Sequence, residues 1–199
     1  KGVLMSKADN FPPEHHKVIA KHLAGSWIKP KVELWSCGEG SSAKQAIAVF
    51  EDFPKKDLTS YSTVGLCDHG GVELISCAQS DKTSFIKAFF DIVSFIIDGH
   101  RQAEEGAVFE KVISRYYKKT NTPHLLLSAV PMPELVMNPL TENSLSVQWL
   151  YAWPTTSDEI VYIENESYSS IKVHLKKAEE INLDRETFEG IPEFDPWGN

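Results

Sequence analysis

Cys67 and His69 are the residues of this chain whose types and spacing come closest to a catalytic pair. A cysteine is nucleophilic when its thiolate is stabilised, usually beside a base, and both residues fall at the mouth of a predicted hairpin turn. Closeness in sequence is a weak signal, because catalytic pairs usually meet through the fold. The alternative is that Cys37, Cys67 and Cys77 are reduced, mostly buried thiols of a cytoplasmic protein. An enzyme that uses Cys67 and His69 stays open as one hypothesis.

Metal and phosphate sites lack their usual signatures in this sequence. The seven histidines form no H-E-x-x-H motif, the cysteines form no C-x-x-C motif, and the acidic residues do not have the spacing of a calcium loop. The glycine-containing stretch GEGSS at residues 38–42 lacks the lysine of a phosphate-binding loop, and its glutamate would repel a phosphate. We therefore expect neither a metal ion nor a cofactor.

The charge of the chain is concentrated in its last third. Residues 1–133 are nearly neutral at +1, whereas residues 134–199 have 4 Lys and Arg against 13 Asp and Glu, or −9, which gives the net −8. Such a segment repels nucleic acid and anionic membranes and attracts a basic partner, although it also serves solubility alone. Residues 85–97 form the longest apolar run, but Lys87 and Asp91 interrupt it and it is too short to span a bilayer. The first ten residues have no apolar signal-peptide core, so we expect a cytoplasmic protein.

The elements that would position these residues alternate between strands and helices. A helix is predicted after Pro12 and Pro13, with Gly25 as its end. Four short strands then follow at hairpin spacing and predict an antiparallel meander; they cover residues 31–36, 45–50, 59–66 and 72–78. Residues 81–99 are the strongest helix prediction, because apolar residues cover more than half of its circumference.

The second half of the chain predicts further strands and two short helices. Residues 100–122 are ambiguous and partly helical at most, while residues 124–130 and 144–153 read as strands, the second ended by Pro154. Thr156 and Glu159 have the spacing of a capping box that opens a helix near residue 157, and another helix is predicted over residues 167–177. This order predicts one α+β domain over residues 1–199, with a mixed, mainly antiparallel sheet flanked by helices.

Three ordered stretches of the sequence resemble the Suppressor of Fused domain family in its bacterial, immunity-protein-like form. They are YSTVGLCD with VELI at residues 61–68 and 72–75, HLLL with VQWL, PT and DEI at residues 124–127, 147–150, 154–155 and 158–160, and LDR with EFDP at residues 183–185 and 193–196. The resemblance runs from about residue 31 to 199. It departs from the family at Cys67, where a small polar residue such as serine is usual, and in the short loop at residues 68–71.

The resemblance implies a function as well as a fold. Members of the family bind proteins and are not enzymes; the animal protein restrains a transcription factor by gripping a short segment in a groove. Bacterial members are often immunity proteins that neutralise a polymorphic toxin. Tyr61 matches a tyrosine near the family's partner groove, and Asp68 and Glu73 are its charged neighbours.

Two binding hypotheses result. The first is an immunity protein for a toxin, where the acidic last third favours a basic one, and the second is a regulatory or scaffold domain with an unknown partner. The residues that we expect to bind the partner are Tyr61, Asp68, Glu73, Asp158, Glu159, Glu179 and Glu180.

Overall fold

A nine-stranded sheet and four helices make up the described part of the chain. The computed structural model describes residues 5–7, 14–27, 32–37, 45–78, 82–130, 135–142, 145–175 and 191–192. The strands are β1 (Met5–Lys7), β2 (Glu33–Cys37), β3 (Ala46–Glu51), β4 (Thr59–Val64), β5 (Val72–Ala78), β6 (Val108–Phe109), β7 (His124–Ser128), β8 (Leu140–Glu142) and β9 (Leu145–Thr155). The helices are α1 (Glu14–Trp27), α2 (Lys82–Ile97), α3 (Ser157–Glu166) and α4 (Tyr168–Leu175), and a 3-10 turn (Leu66–His69) lies between β4 and β5.

The sheet is mixed but mainly antiparallel. Its order is β1-β2-β3-β4-β5-β9-β7-β6, with β8 paired to β9 beside this path. β1 to β5 form an antiparallel meander, and β5 and β9 are the parallel pair. The predicted α+β class, with its mixed and mainly antiparallel sheet, is therefore confirmed. The long β9 is the strand that joins the meander to β7.

Helices cover both faces of the sheet. Side chains alternate along each strand, so each strand contributes to the core on either face. On β3, Ile47 and Val49 point to the core that contains α2, whereas Ala46, Ala48 and Phe50 point to the core that contains α1 and α4. All five residues of β7 are buried. Burial of both faces of the sheet explains why its apolar run is continuous. None of the helices within the described residues is long and apolar enough to cross a bilayer.

The predicted end of the first helix at Gly25 is wrong, because α1 continues to Trp27. The Trp27 indole is buried and packs edge-on against Phe50, with ring centroids 4.6 Å apart. Burial of a large aromatic side chain stabilises by about 2 kcal/mol, which outweighs the cost of about 1 kcal/mol for glycine inside a helix.

Pro154 does not end a strand as predicted; it lies inside β9, opposite Leu125 of β7. β5 pairs with β9 only as far as Tyr151, so at Pro154 the strand is paired on one side. A proline is tolerated at such a position because one row of N–H donors has no strand to bond. The partial helix allowed for residues 100–122 is also absent: those residues form turns and β6.

Candidate partner-binding site

The turn between β4 and β5 presents Asp68 at the surface. Gly65 adopts φ 101° and opens the 3-10 turn, whose main chain closes through the Gly71 N–H, which donates to the Cys67 carbonyl at 2.8 Å. The Asp68 carboxylate lies 2.9 Å from His16 Nε2, and its side chain is 37% exposed while His16 is 1% exposed. This contact ties α1 to the turn, and part of the Asp68 side chain is exposed to solvent.

Gly65 allows α1 to approach this turn closely. A Cβ added at Gly65 would lie 2.3 Å from His16 Cε1, and its positive φ would be strained for any other residue. The His16 ring therefore lies directly over the main chain of the turn. His16 is 52 residues from Asp68, and no sequence pattern indicates this pairing.

Glu73 is the structural support of the turn. Its side chain is fully buried, and its carboxylate accepts hydrogen bonds from the Thr63 hydroxyl at 2.5 Å, the Gly65 N–H at 2.8 Å and the Cys67 N–H at 3.1 Å. Burial raises the pKa of Glu73 above its ordinary value, and the three hydrogen bonds oppose that rise. Glu73 thus holds the main chain that presents Asp68, but it does not itself reach the surface.

Tyr61 is also enclosed. It is 0% exposed and packs on α2, with its ring centroid 4.6 Å from that of Phe85 and 6.4 Å from that of Phe89. A partner at the surface cannot touch this ring in the observed arrangement. Its predicted part in partner binding therefore stays a proposal, in which Tyr61 would act through the packing of β4.

The predicted capping box at the start of α3 is present. The Thr156 hydroxyl accepts the Glu159 N–H at 3.3 Å, and the Glu159 carboxylate accepts the Thr156 N–H at 3.1 Å. Glu159 is 0% exposed, so its carboxylate is committed to the helix end, whereas Asp158 beside it is partly exposed. Glu179 and Glu180 lie outside the described residues.

Four of the predicted binding residues fall at two ends of the sheet: Asp68 and Glu73 at one, and Asp158 and Glu159 at the other. Gly71 at the β4–β5 turn accepts the N–H of Gln148 near the start of β9, whereas α3 follows the end of β9 at Thr155. Seven residues of strand separate those points, which is roughly 23 Å. We call these regions the β4–β5 turn (residues 65–71 with Glu73) and the α3 end (residues 156–166). The structure therefore brings Asp68 and Glu73 together but not Asp68 and Asp158.

The surroundings of Cys67 oppose its use as a nucleophile. Burial, followed by the charges of Glu73 and Asp68, raises the pKa of the Cys67 thiol far above its ordinary value. The thiol lies 4.0 Å from an Asp68 oxygen, and the His69 ring contacts the Gln45 amide at 3.4 Å. A thiolate at this position would face two carboxylates, so the geometry favours the protonated thiol.

A second pair, Ser157 and His124, was not identified from the sequence. His124 Nε2 lies 3.1 Å from the Ser157 hydroxyl, but His124 Nδ1 accepts the Lys111 N–H at 3.2 Å. An accepting Nδ1 requires that the hydrogen of the neutral ring be on Nε2, which therefore donates to Ser157. Burial lowers the pKa of His124 and favours this neutral form. The ring cannot take a proton from Ser157 in this arrangement, and instead ties α3 to β7.

No three histidine, cysteine, aspartate or glutamate side chains are grouped to hold a metal ion within the described ranges. What the two ends of the sheet offer is an exposed carboxylate at the turn and an acidic helix surface. Both suit recognition of another molecule by charge.

The chain is 28% identical over 163 residues to the immunity protein YqcF of Bacillus subtilis strain 168, which covers 76% of this chain and 84% of YqcF. It superposes on a Suppressor of Fused homologue from Neisseria gonorrhoeae FA 1090 with a TM-score of 0.73 at 14% identity, covering 87% of this chain and 96% of that one. The chain has the Suppressor of Fused fold. The resemblance inferred from the sequence motifs is confirmed.

The animal protein shares the fold but is longer. Drosophila Suppressor of Fused gives a TM-score of 0.66 at 11% identity, over 92% of this chain and 52% of the Drosophila chain. The present chain thus matches about half of that protein. No protein-family model matches the chain.

Proposed function

We propose that this chain is an immunity-type protein that binds and neutralises a cognate toxin without catalysing a reaction. The observation that carries the proposal is the relation to YqcF, an immunity protein that aligns over most of both chains. The raised pKa of Cys67 and the donating Nε2 of His124 support a non-catalytic role, because each opposes the nucleophile it would otherwise suggest. The free, buried thiols of Cys67 and Cys77 fit a reducing cytoplasm.

In this proposal the toxin presents a basic surface to this chain. Residues 134–199 have a net charge of −9, and Asp158, Glu164 and Glu166 place part of it on accessible positions of α3. Opposite charge on a toxin would steer the encounter and raise the association rate. In this proposal Asp158, Glu179 and Glu180 act by charge, while Glu159 acts by holding the start of α3.

The β4–β5 turn provides the second proposed contact. Asp68 would touch the partner directly, since its carboxylate is partly exposed. Glu73 and Tyr61 would act indirectly, since both are enclosed beneath the surface. A partner that spans both ends of the sheet would need to cover roughly 23 Å, which is a distance that ordinary protein interfaces reach.

Co-expression tests the proposal. The chain is produced with the toxin domain encoded beside its gene, in a host whose growth that domain alone arrests. We expect growth to be restored and the two proteins to co-purify, with a complex that weakens as the salt concentration rises. Arrested growth and separate elution would reject the immunity role, and co-purification with an unrelated cellular protein would favour a regulatory or scaffold domain.

A further inference from the structure

The His124 ring joins two segments that lie on either side of it. His124 is the first residue of β7 and is 5% exposed, and it lies opposite Thr155 of β9. Its Nδ1 accepts the Lys111 N–H at 3.2 Å, and its Nε2 lies 3.1 Å from the Ser157 hydroxyl at the start of α3. We call residues 110–114, which follow β6, the Lys111 turn. One buried ring therefore connects the Lys111 turn with the start of α3.

The main chain of the Lys111 turn has a conformation that depends on such contacts. Lys111 has φ 55°, which lies in the left-handed region and is uncommon for a residue with a side chain. The Ser114 hydroxyl donates to the Lys111 carbonyl at 3.1 Å, while the Lys111 N–H donates to His124. The bond to the ring is thus one of the contacts that hold the turn in this conformation.

Only the neutral ring can accept the bond from Lys111. A protonated histidine has a hydrogen on each ring nitrogen and accepts at neither, so its Nδ1–H would face the Lys111 N–H. The bond from Nε2 to Ser157 would survive, because Nε2 donates in both forms of the ring. Protonation therefore breaks the contact with the Lys111 turn and keeps the contact with α3.

Burial is the largest of the effects on the charge of this ring. It lowers the pKa of His124 below the ordinary value of 6.5, the Glu110 charge opposes that change, and the Lys111 charge adds to it. The folded chain therefore binds this proton less tightly than the unfolded chain. The contribution of the neutral ring to stability is present above 6.5 and is lost as the pH falls through the folded pKa.

On the other side of the ring, α3 brings both signs of charge. Asp158 and Glu159 follow Ser157 in its first turn, and the Glu159 carboxylate is bonded to the main chain at the helix start. The positive end of the helix dipole opposes a cation at the same place. The residue of β9 opposite the ring is the uncharged Thr155.

We propose that His124 is a pH-sensitive latch that holds the Lys111 turn in neutral solution and releases it in mildly acidic solution, while the start of α3 stays in place. Glu110 and Val112 of this turn also line a cavity of about 240 Å³, together with Phe95 and Arg101 near the end of α2. Release of the turn would therefore change the shape of this cavity. The inference goes beyond the proposed immunity role and does not depend on it, because it concerns a proton that the chain itself binds.

Nuclear magnetic resonance of the full chain with isotope-labelled histidine tests the latch without a substitution. The signals of the two ring nitrogens of His124 should show the hydrogen on Nε2 at neutral pH and a second proton gained only below pH 6.5. A neutral ring with its hydrogen on Nδ1, or a titration midpoint at or above 6.5, would overturn the proposal.

Amide hydrogen exchange tests the release of the turn. Between about pH 7.5 and about pH 5.5, and after correction for the intrinsic effect of pH on exchange, the Lys111 amide should exchange about threefold to tenfold faster, as expected for the loss of one hydrogen bond. The Glu159 amide, which donates to the Thr156 hydroxyl in the first turn of α3, should not change. Equal acceleration of both amides would indicate a general loosening and, like acceleration of neither, would overturn the latch.

Matched substitutions attribute the effect to His124. His124→Asn provides an oxygen that can accept the Lys111 N–H and does not titrate, so the Lys111 amide should lose its acceleration in acid. His100→Asn removes an exposed histidine that does not contact the Lys111 N–H and should leave the acceleration as in the wild type. Acceleration that persists in His124→Asn would contradict the proposal. If His124→Asn does not fold, the titration of the ring and the two amides of the wild type still decide the outcome.

Discussion

The β4–β5 turn and the α3 end use the same device for different purposes. At each of them a buried glutamate accepts main-chain N–H groups: Glu73 accepts those of Gly65 and Cys67, and Glu159 accepts that of Thr156. Glu159 reaches back three residues within a capping box, whereas Glu73 on β5 contacts Thr63 on the neighbouring β4 and holds the turn between the two strands. Carboxylates chosen as binding candidates can thus be structural, whereas their neighbours Asp68 and Asp158 are at least partly exposed.

The largest expected effect is at Glu73. Glu73→Ala leaves the Gly65 N–H, the Cys67 N–H and the Thr63 hydroxyl without their buried acceptor, and we expect a loss of about 3–5 kcal/mol in the free energy of unfolding. Glu73→Gln keeps an acceptor of the same shape and should lose much less. Urea denaturation measures both. Similar losses in the two variants would show that the amide cannot replace the carboxylate, so that both acceptor oxygens of Glu73 are required.

The next largest loss in the free energy of unfolding is expected for Gly65→Ala. The new Cβ would overlap the His16 ring and the positive φ would be strained, so we expect a loss of about 2–3 kcal/mol. Gly25→Ala is the matched control, because Gly25 lies inside α1 with nothing within 4 Å of the added Cβ. That control should stabilise by about 0.5–1 kcal/mol. Equal effects of one sign would contradict the close approach of α1 to the turn.

The capping box should contribute less than Glu73. Thr156→Ala removes the acceptor for the Glu159 N–H, and we expect a loss of about 1 kcal/mol. Thr156→Ser keeps the hydroxyl and should retain most of the stability. Thermal unfolding followed by circular dichroism measures the difference, and a Thr156→Ala loss as large as that of Glu73→Ala would remove the distinction between the two ends.

The pH dependence of stability tests the burial of Glu73. Because the pKa of Glu73 is raised in the folded state, the folded protein holds this proton more tightly than the unfolded chain, whose ordinary value is 4.5. Its contribution to stability is present below that value and is lost as the pH rises through the folded pKa. The unfolding free energy of the wild type minus that of Glu73→Gln should therefore fall as the pH rises above the ordinary value of 4.5. A difference that rises with pH would show that the three hydrogen bonds outweigh burial.

The smallest expected effect concerns the exposed acidic residues of the α3 end. Glu164→Gln with Glu166→Gln removes two charges, each worth ~0.4 kcal/mol at about 10 Å from a cationic partner in water, so association with the toxin domain should slow roughly fourfold at low salt. The double variant Asp57→Asn with Asp98→Asn makes the same charge change on exposed residues of two other turns. Surface-based kinetics at low and high salt would compare them; an equal change in both would mean that net charge, and not the α3 end, steers the encounter.

The features that could be predicted from the sequence are those that depend on local patterns of residues. The capping box follows from two residues three apart, and α2 follows from an apolar surface that covers most of the helix. The parallel pairing of β5 with β9, the contact of His16 with Asp68 and the hold of Glu73 on the turn all join distant residues, so no local pattern contains them. Gly25 and Pro154 were misjudged for a related reason: packing of Trp27 and one-sided pairing of β9 override local preference.

The candidate binding residues were separated by burial, which the sequence does not show. Tyr61, Glu73 and Glu159 have the types expected at an interface, but each is 0% exposed. Asp68 and Asp158 have the same charge and lie nearby in sequence, yet they reach the surface. Hydrophobic periodicity cannot distinguish a buried carboxylate from an exposed one, because a glutamate inside a strand or in the first turn of a helix can be either.

The stoichiometry of neutralisation tests the central claim most directly. The purified chain is titrated into a fixed amount of the toxin domain, and the remaining toxin activity is measured after each addition. A non-catalytic binder should lower the activity linearly to zero at a fixed molar ratio of the two proteins, and removal of the chain under denaturing conditions should return a chemically unaltered toxin. Complete and lasting inactivation by a small fraction of an equivalent would contradict the account, since it would mean that the chain turns over and modifies its target.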